Sequence, residues 1–359
     1  MKLDHIQVTG FKSIHKLDLD LNPLNILIGA NGSGKSNFIS LFKLLNEIVS
    51  GNFQIYVSQS GGADAFLYYG RKETDEITVE LNAGQNAYRC SWLPTADNTL
   101  IFGSETCTFF GDYVDKKDYL IGRGNRESNL PERAKTNRVA RYVLQHLKSW
   151  KVYHFHDTSE SAPVKRRGSL NDNQYLRTDA GNLAAFLYRM KATANQNYES
   201  IRDMVRMVAP FFGDFVLRPI PDSMDQIQLE WRERGSDYPF LAHHLSDGTL
   251  RFMCLATLLL QPDLPSTVIV DEPELGLHPY AITLLASIMR SAASRAQLII
   301  STQSVTFVNQ FQAQDLLIAN RRERATTIER LDEHELANWI DEYSLGELWE
   351  KNVIGGRPS

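Results

Sequence analysis

Cysteine is scarce in this chain, and its distribution excludes two common architectures. Cys90, Cys107 and Cys254 are odd in number and lie far apart, so they fit neither a framework of disulfides nor the close ligand spacing of a zinc site. Free thiols of this kind are typical of a reducing compartment, and we therefore expect a cytoplasmic protein.

Long hydrophobic runs are also missing. Residues 252–260 form an apolar stretch of nine residues, whereas a membrane-spanning helix needs about 20. Residues 1–5 (MKLDH) lack the apolar centre of a signal peptide. The chain has 359 residues, 43% of them hydrophobic, a net charge of −5 and a mean hydropathy of −0.30. We expect a globular protein with one large core or two lobes and no membrane partner.

The chain has no internal repeat, and its charge is uneven. No heptad pattern is sustained between residues 50 and 245, which argues against a long coiled-coil arm. Residues 116–167, from Lys116 to Arg167, contain 13 Lys and Arg against 5 Asp and Glu. This basic segment is either a solvated surface or a surface that contacts the phosphate backbone of DNA, and no recognisable nucleic-acid-reading module decides between the two.

A glycine-rich loop is the strongest feature that is present. Residues 25–36 read NILIGANGSGKS, an apolar run that predicts a buried strand and then the loop. Residues 37–49 place apolar side chains three and four positions apart, which predicts a helix. A glycine loop between a strand and a helix is the setting in which backbone N–H groups and a helix N-terminus bind phosphate.

Each residue type in the loop suits that chemistry. Gly29, Gly32 and Gly34 would let the backbone wrap around the anion. Lys35 would add a cation at the β- and γ-phosphates, and the Ser36 hydroxyl would bind Mg²⁺. The predicted nucleotide-binding residues of this segment are Asn31, Gly32, Ser33, Gly34, Lys35, Ser36 and Asn37.

An acidic pair follows a second apolar run. Asp271 and Glu272 end residues 267–272 (TVIVDE), and another apolar run, residues 298–301, comes next in the chain. Carboxylates at the end of a buried parallel strand lie at the carboxyl edge of the sheet, where ligands bind. We expect Asp271 to hold Mg²⁺ and Glu272 to orient and deprotonate the attacking water. An ordinary acidic turn is the alternative interpretation.

Residues 245–249 (LSDGT) carry the third motif. Ser246 or Asp247 would cap a helix well, and such a cap could be the whole explanation. The alternative adds a ligand, because a serine hydroxyl and a helix N-terminus can also bind the γ-phosphate held by a second protomer. On this interpretation Ser246 and Gly248 belong to the nucleotide site.

Other segments carry weaker patterns. Residues 64–110 contain short β-like runs, including residues 68–70, that predict an antiparallel meander. Residues 113–137 are charged and rich in Gly and Asn, which predicts a mobile loop. Residues 153–156 and 226–231 predict strands. For residues 331–359 we retain two interpretations, a packed final helix or a docking surface.

These motifs resemble the ATP-binding cassette superfamily, and within it the SMC/RecF/OLD branch. Residues 10–14 (GFKSI) look like the N-terminal element of that branch, and residues 245–248 (LSDG) are similar to the cassette signature motif. Residues 271–279 (DEPELGLHP) are similar to the OLD-type extension of Walker B. The resemblance extends over nearly the whole chain to stand-alone bacterial ATPases of AAA/ABC type. It implies an α/β P-loop NTPase fold like an ABC-ATPase head, with an antiparallel β subdomain and a helical lobe that carries the signature motif.

The resemblance also implies a function and an organisation. ATP and Mg²⁺ would be sandwiched between two protomers, in a homodimer that works with a separate effector protein in DNA repair or phage defence. We expect one ATPase domain made of four segments, residues 1–110, 111–245, 246–330 and 331–359. OLD proteins often carry a TOPRIM nuclease, which needs more chain than the 56 residues after Gln303, so we expect no nuclease activity here.

The chain departs from the family pattern at several positions. Gln303 stands where a switch histidine is usual, and it can donate to a γ-phosphate but cannot take up a proton charge. His278 falls on the position of the D-loop aspartate. For the Q-loop, His156-Asp157 and Gln174 are both candidates. Two histidine pairs, His154 with His156 and His243 with His244, are either metal ligands or packed side chains.

Two rival functions stay open at this point. Gln303 and His278 leave room for a module that binds ATP as a structural ligand and hydrolyses it negligibly while it scaffolds a partner protein. The basic segment favours an ATPase that engages DNA. A transporter subunit fits least well, because the N-terminal and signature motifs match the SMC/RecF side.

Overall fold

The computed structural model describes residues 2–111, 114–332, 336, 339 and 342–356. They form two compact units. The first unit comprises Met1–Val152, Pro265–Ile269 and Ala296–Ser359, and the second comprises Tyr153–Leu264 and Val270–Arg295.

The strands in chain order are β1 (His5–Phe11), β2 (Ile14–Asp20), β3 (Leu24–Ile28), β4 (Ile77–Ala83), β5 (Asn86–Pro94), β6 (Leu100–Gly111), β7 (Val114–Gly122), β8 (Trp150–Tyr153), β9 (Gly168–Ser169), β10 (Phe212–Val216), β11 (Pro219–Ile220), β12 (Ser223–Ile227), β13 (Glu230–Glu233), β14 (Pro239–Leu241), β15 (Thr267–Asp271), β16 (Gln297–Thr302), β17 (Leu316–Arg322) and β18 (Ala325–Arg330).

The α-helices are α1 (Lys35–Ser50), α2 (Phe53–Gln59), α3 (Leu130–Arg133), α4 (Arg138–Lys148), α5 (Leu183–Thr193), α6 (Asn195–Val208), α7 (Asp247–Leu260), α8 (Pro279–Ala292), α9 (Val305–Val308) and α10 (Leu345–Glu350). Short 3₁₀ turns lie at Ala63–Ala65, Pro163–Lys165, Ala242–His244 and Ala313–Asp315.

The first unit contains an antiparallel sheet with the strand order β2-β1-β4-β5-β6-β7. Its strands alternate as a half-buried sheet requires: in β4 the buried positions are Ile77, Val79, Leu81 and Ala83, two residues apart. The predicted meander over residues 64–110 is therefore present, although residues 68–70 do not belong to it. Tyr69 and Gly70 have positive φ angles of 54° and 75°, which places them in a turn.

A second sheet of the first unit has the order β18-β17-β3-β16-β15-β8. The central strand β3 is parallel to both of its neighbours, β16 and β17. Every residue of β3 and β16 is buried, as expected for parallel strands covered on both faces. Thr267–Ile269 of β15 belong to this unit, and the chain passes from them into the second unit.

The core of the first unit lies where helix α1 packs among the strands. Phe38, Leu41, Phe42 and Leu45 of α1 are all buried, at the three- and four-residue spacing of one helical face. Gly51 ends the helix in the left-handed conformation at φ 76°, where its N–H bonds back to helix carbonyls.

The second unit combines small antiparallel sheets with helices. The sheets have the orders β10-β13-β14 and β11-β12-β9, and Trp231 of β13 stacks on Phe212 and Phe240. Helix α7 is buried at every position from Leu250 to Leu259, which explains why its sequence is mostly apolar.

The sequence prediction was wrong in three further segments. The loop predicted at residues 113–137 contains two regular elements, β7 and α3. Residues 226–231 are not one strand but the end of β12 and the start of β13, which lie in different sheets. The strand predicted at residues 153–156 ends at Tyr153.

The C-terminal segment is described in part. Helix α10 begins with a capping box between Ser344 and Glu347, and it buries Leu348 and Trp349. This agrees with a packed final helix. Residues 333–335 (EHE), which belong to this segment, lie outside the described residues.

Candidate nucleotide site

The glycine loop connects β3 to α1, as the sequence predicts. Gly32 and Gly34 have φ angles of 80° and 104°, in the region that favours glycine. A Cβ atom at Gly34 would also run into the Thr326 hydroxyl and approach Ser13 Oγ to 2.9 Å. The loop conformation therefore requires glycine at this position on both conformational and steric grounds.

Lys35 lies in the loop as a buried cation. The residue is 5% exposed, and its ammonium group donates to the Gly29 carbonyl at 2.6 Å and to the Ala30 carbonyl at 3.1 Å. A buried ammonium is costly unless it is hydrogen-bonded, so these carbonyls hold the charge at the loop.

The start of α1 favours an anion. Its N-cap is Gly34, which supplies no side-chain acceptor, so the first N–H groups of the helix lack the usual side-chain cap. Ser33 Oγ is buried and has no hydrogen-bond partner among the described residues. Together with the Lys35 ammonium, these donors fit a phosphate group. Ser36, the second residue of α1, is exposed and can contribute its hydroxyl to Mg²⁺.

A hydrogen-bond network that the sequence did not predict holds the glycine loop in place. Thr326 of β18 donates to the Ser33 carbonyl at 2.9 Å, and its hydroxyl lies 2.7 Å from Ser13 Oγ. Asn37, a predicted nucleotide-binding residue, donates to the same Ser13 Oγ at 2.7 Å. No local pattern marks Thr326, because its role depends on a contact almost 300 residues along the chain from Ser33.

Strand register places Gln303 at the level of the loop. Thr302 of β16 pairs with Ile28 of β3 in a parallel register, so the next residues, Gln303 and Gly29, follow at the same edge of the sheet. Gln303 is exposed. The predicted switch residue therefore lies beside the beginning of the phosphate loop.

Asp271 and Glu272 lie in the second unit, where Asp271 is the last residue of β15. Glu272 has a left-handed backbone with φ 42°, an uncommon conformation for a residue with a side chain. The turn is fixed by the Leu275 N–H, which donates to the Glu272 carbonyl at 3.3 Å, and by the Leu277 N–H, which donates to Glu274 at 3.0 Å. A sterically uncommon backbone at a predicted catalytic base is typical of a functional site.

The signature residues form the beginning of helix α7, also in the second unit. Ser246 is its N-cap, and its hydroxyl accepts from the Thr249 N–H at 3.2 Å. Ser246 and Asp247 are exposed. The capping interpretation therefore holds for Ser246, and its hydroxyl stays at a surface where a second ligand can reach it.

The histidines have different roles. His278 is the N-cap of α8, and its Nδ1 accepts from the Tyr280 N–H at 3.3 Å. The rings of His154 and His156 are 6.5 Å apart, and the ring of His244 packs edge-on against Phe240. In the described ranges, no three His, Cys, Asp or Glu side chains come together as metal ligands.

The Q-loop candidates lie in coil. His156 and Asp157 follow β8 outside any strand, and Asp157 accepts hydrogen bonds from the N–H and hydroxyl of Ser159, which hold the pKa of its carboxyl below the usual value. The carbonyl of Gln174 accepts from Arg189.

The basic segment is divided between the two units. Lys116, Arg138 and Lys148 lie on β7 and α4 of the first unit, whereas Arg166 and Arg167 lie in the second. Two cations of the segment form ion pairs within the chain: Arg126 pairs with Asp97 at 2.9 Å, and Lys135 pairs with Glu132 at 2.5 Å. Exposed ion pairs of this kind contribute little to stability.

A glycine loop that holds a buried lysine, between a parallel strand and a helix, defines a P-loop ATPase domain. The chain belongs to the family described as "AAA domain, putative AbiEii toxin, Type IV TA system", whose model matches residues 115–309. A model described as an AAA ATPase domain matches residues 1–142.

Curated relatives point to one branch of these ATPases. The OLD nuclease of Thermus scotoductus (strain ATCC 700910 / SA-01) is 23% identical over 378 residues, which cover 96% of this chain and 67% of the relative. The DNA replication and repair protein RecF of Francisella tularensis subsp. mediasiatica (strain FSC147) is 29% identical over 96 residues, 26% of this chain and 28% of RecF.

Solved structures show the same fold. The SMC head bound to the C-winged helix domain of ScpA aligns with a TM-score of 0.63 at 14% identity, over 94% of this chain and all of that chain. An SMC head with an extended coiled coil, bound to the C-terminal domain of ScpA derived from Pyrococcus furiosus, gives 0.54 at 12% identity, over 95% and 98%. The predicted ABC-type P-loop fold of the SMC/RecF/OLD branch is confirmed.

Membrane insertion finds no support in the helices. Within the described ranges, none combines the length and the apolar character that a bilayer crossing requires.

Proposed function

We propose that this chain is an ATP- and Mg²⁺-dependent molecular switch that closes as a homodimer. The observation that carries the proposal is the Lys35 ammonium held against the loop carbonyls at the start of a helix whose N-cap has no side-chain acceptor. These groups provide positive potential and N–H donors for a nucleoside triphosphate. The same α/β domain, made of the four segments predicted from the sequence, would carry the whole cycle.

Hydrolysis would depend on four side chains around the γ-phosphate. Ser36 and Asp271 would hold Mg²⁺, Glu272 would orient and deprotonate the attacking water, and Gln303 would donate to the phosphate. Phosphoryl transfer asks the protein mainly for position and charge. Mg²⁺ held by Ser36 and Asp271 would supply positive charge to the phosphate, while Glu272 would orient the water and Gln303 would donate to the γ-phosphate.

Closure would use the exposed start of α7. Ser246 keeps its hydroxyl at the surface while it caps the helix, which supports a second role in sealing the nucleotide of the other protomer. Gly248 would allow the close approach. Opening would follow hydrolysis, so that the dimer reports the nucleotide state to an effector.

The process served by the switch is proposed from its relatives. One relative is named a nuclease and another a DNA replication and repair protein. The exposed basic residues Arg138, Lys148 and Lys151 of the first unit can contact a phosphate backbone. We therefore place the switch in DNA repair or phage defence, with a separate effector.

Phosphate release tests the proposal against its alternative, a module that binds ATP and hydrolyses it negligibly. The wild-type chain should release phosphate, faster with duplex DNA at low salt than at high salt, because backbone contacts weaken as salt rises. Glu272→Gln should bind ATP in calorimetry but release phosphate at least about tenfold more slowly. Equal rates of phosphate release by the wild type and Glu272→Gln would show that Glu272 is not the catalytic base. A wild-type rate of phosphate release that does not change with DNA would contradict the role in DNA processes.

A further inference from the structure

The beginning of the signature helix touches the turn that follows Asp271 and Glu272. Both segments belong to the second unit. A Cβ atom at Gly248 would run into the Gly276 carbonyl, so the two backbones are in direct contact. Gly276 is itself left-handed, at φ 77°. The close approach requires glycine at position 248.

Arg251 lies one helical turn after Gly248 and extends this contact. The residue is 5% exposed. Its Nη1 donates to the Leu275 carbonyl in the same turn. Its Nε donates to the Phe155 carbonyl at 3.0 Å, and its Nη2 donates to the His156 carbonyl at 3.2 Å. One guanidinium group therefore joins α7 to two separate loops.

A planar guanidinium is suited to this task. It presents five N–H donors in a fixed fork, whereas a lysine ammonium is a single point of charge on a flexible chain. Burial lowers the pKa of Arg251, and the charges of Asp247 and Glu274 oppose that effect. Burying this cation is unfavourable, so the three carbonyl contacts are needed to hold it in place.

We propose that Arg251 is the positioning residue that couples the catalytic turn, residues 271–277, to the partner-facing turn at Ser246. The inference rests on the proposed function. A shift of the Glu272 turn on nucleotide binding or hydrolysis would be transmitted through the Leu275 carbonyl and Arg251 to the first turn of α7, and also to residues 155–156. The nucleotide state of one protomer would thus control how its own Ser246 is presented to the other protomer.

The test compares Arg251→Met and Arg251→Lys with a matched control at the opposite end of the same helix. Arg295 donates to the Gln261 carbonyl at 2.9 Å and to the Leu259 carbonyl at 2.7 Å, so Arg295→Met also removes guanidinium–carbonyl bonds from α7. Each variant is checked by thermal unfolding and by calorimetric titration with ATP.

We expect the Arg251 variants to keep their affinity for ATP and to lose turnover. Both Arg251 variants should bind ATP within about twofold of the wild-type Kd and show a kcat at least about tenfold lower. Arg295→Met should keep the wild-type kcat. A merely structural role would instead lower stability and ATP binding together, and would affect the Arg295 variant in the same way.

A second variant breaks the contact from the other side. A Cβ atom at Gly276 would approach Arg251 Nη1 to 3.3 Å in a left-handed backbone, so Gly276→Ala should lower kcat like Arg251→Met. The double variant should be little worse than either single variant, since both remove one coupling. Full additivity of the two effects on kcat would overturn the inference.

The dimer separates this inference from the proposed function. In the Glu272→Gln background with ATP and Mg²⁺, the added Arg251→Met change should abolish dimer formation. If Glu272→Gln alone stays monomeric, the proposed function fails. If the single and the double variant dimerise equally, only the role of Arg251 is contradicted.

Discussion

At the scale of single residues, the phosphate loop combines a buried cation with N–H groups at the start of α1 that can donate to an anion. Lys35 bonds to the Gly29 and Ala30 carbonyls, and Gly34 leaves the helix start without a side-chain cap. The motif predicted these roles from spacing alone, because the chemistry is local to eight residues. Thr326 and Arg251 could not be predicted in this way, since their partners are distant in the sequence.

Lys35→Ala should abolish measurable ATP binding, because it removes the only charge that the loop motif itself supplies to the phosphates. Calorimetric titration with ATP and Mg²⁺ measures the effect. Lys43→Ala, on the same helix α1, is the matched control and should retain the wild-type Kd. An unchanged Kd in Lys35→Ala would contradict the assignment of the loop.

At the scale of elements, strands and helices with strong periodicity were predictable, and those ordered by distant contacts were not. The segment at residues 113–137 reads as a loop, yet the buried Glu105 carboxylate of β6 accepts hydrogen bonds from Ser128 Oγ and from the Asn129 N–H at the start of α3. Glu127 similarly accepts from the N–H groups of Phe53 and Gln54 at the start of α2. Local composition carries no sign of such anchors.

Helix α4 contributes a pH dependence to stability. His146 packs against Trp150 with the ring centroids 5.3 Å apart, and burial lowers its pKa from 6.5 to about 4. Between these values the unfolded chain binds more protons than the folded chain, so stability falls as the pH drops from 6.5 towards 4.

His146→Phe should remove this contribution, because phenylalanine does not titrate. Urea unfolding at a series of pH values measures it. The difference in unfolding free energy between wild type and variant should be constant above pH 6.5 and should shift in favour of the variant as the pH falls to 4. Parallel pH curves for the two proteins would show that His146 is not buried as a neutral group.

At the scale of the whole molecule, the sequence predicted the ABC-type fold because three motifs define its sheet and helices in order. The division into two compact units was harder to predict from the sequence, because each unit is assembled from separated stretches of chain. The first unit holds the phosphate loop and Gln303, and the second holds Asp271, Glu272 and the signature helix. The proposed switch requires both units and a second copy of the chain.

Ser246 is the best position at which to test the proposed dimer interface. The residue caps helix α7, and it is also proposed to contact the γ-phosphate held by the other protomer. Aspartate is as good an N-cap as serine, so Ser246→Asp should preserve helix α7. Its negative charge would oppose a γ-phosphate presented by the other protomer. Ser246→Thr keeps both the cap and the hydroxyl, and it serves as the control.

The most direct measurement is the molar mass of Glu272→Gln in solution, by light scattering, with and without ATP and Mg²⁺. The account predicts a monomer without nucleotide and a dimer with it. The dimer should be retained when Ser246→Thr is added and lost when Ser246→Asp is added, with thermal stability unchanged. A nucleotide-loaded protein that stays monomeric, or a dimer indifferent to Ser246→Asp, would contradict the account.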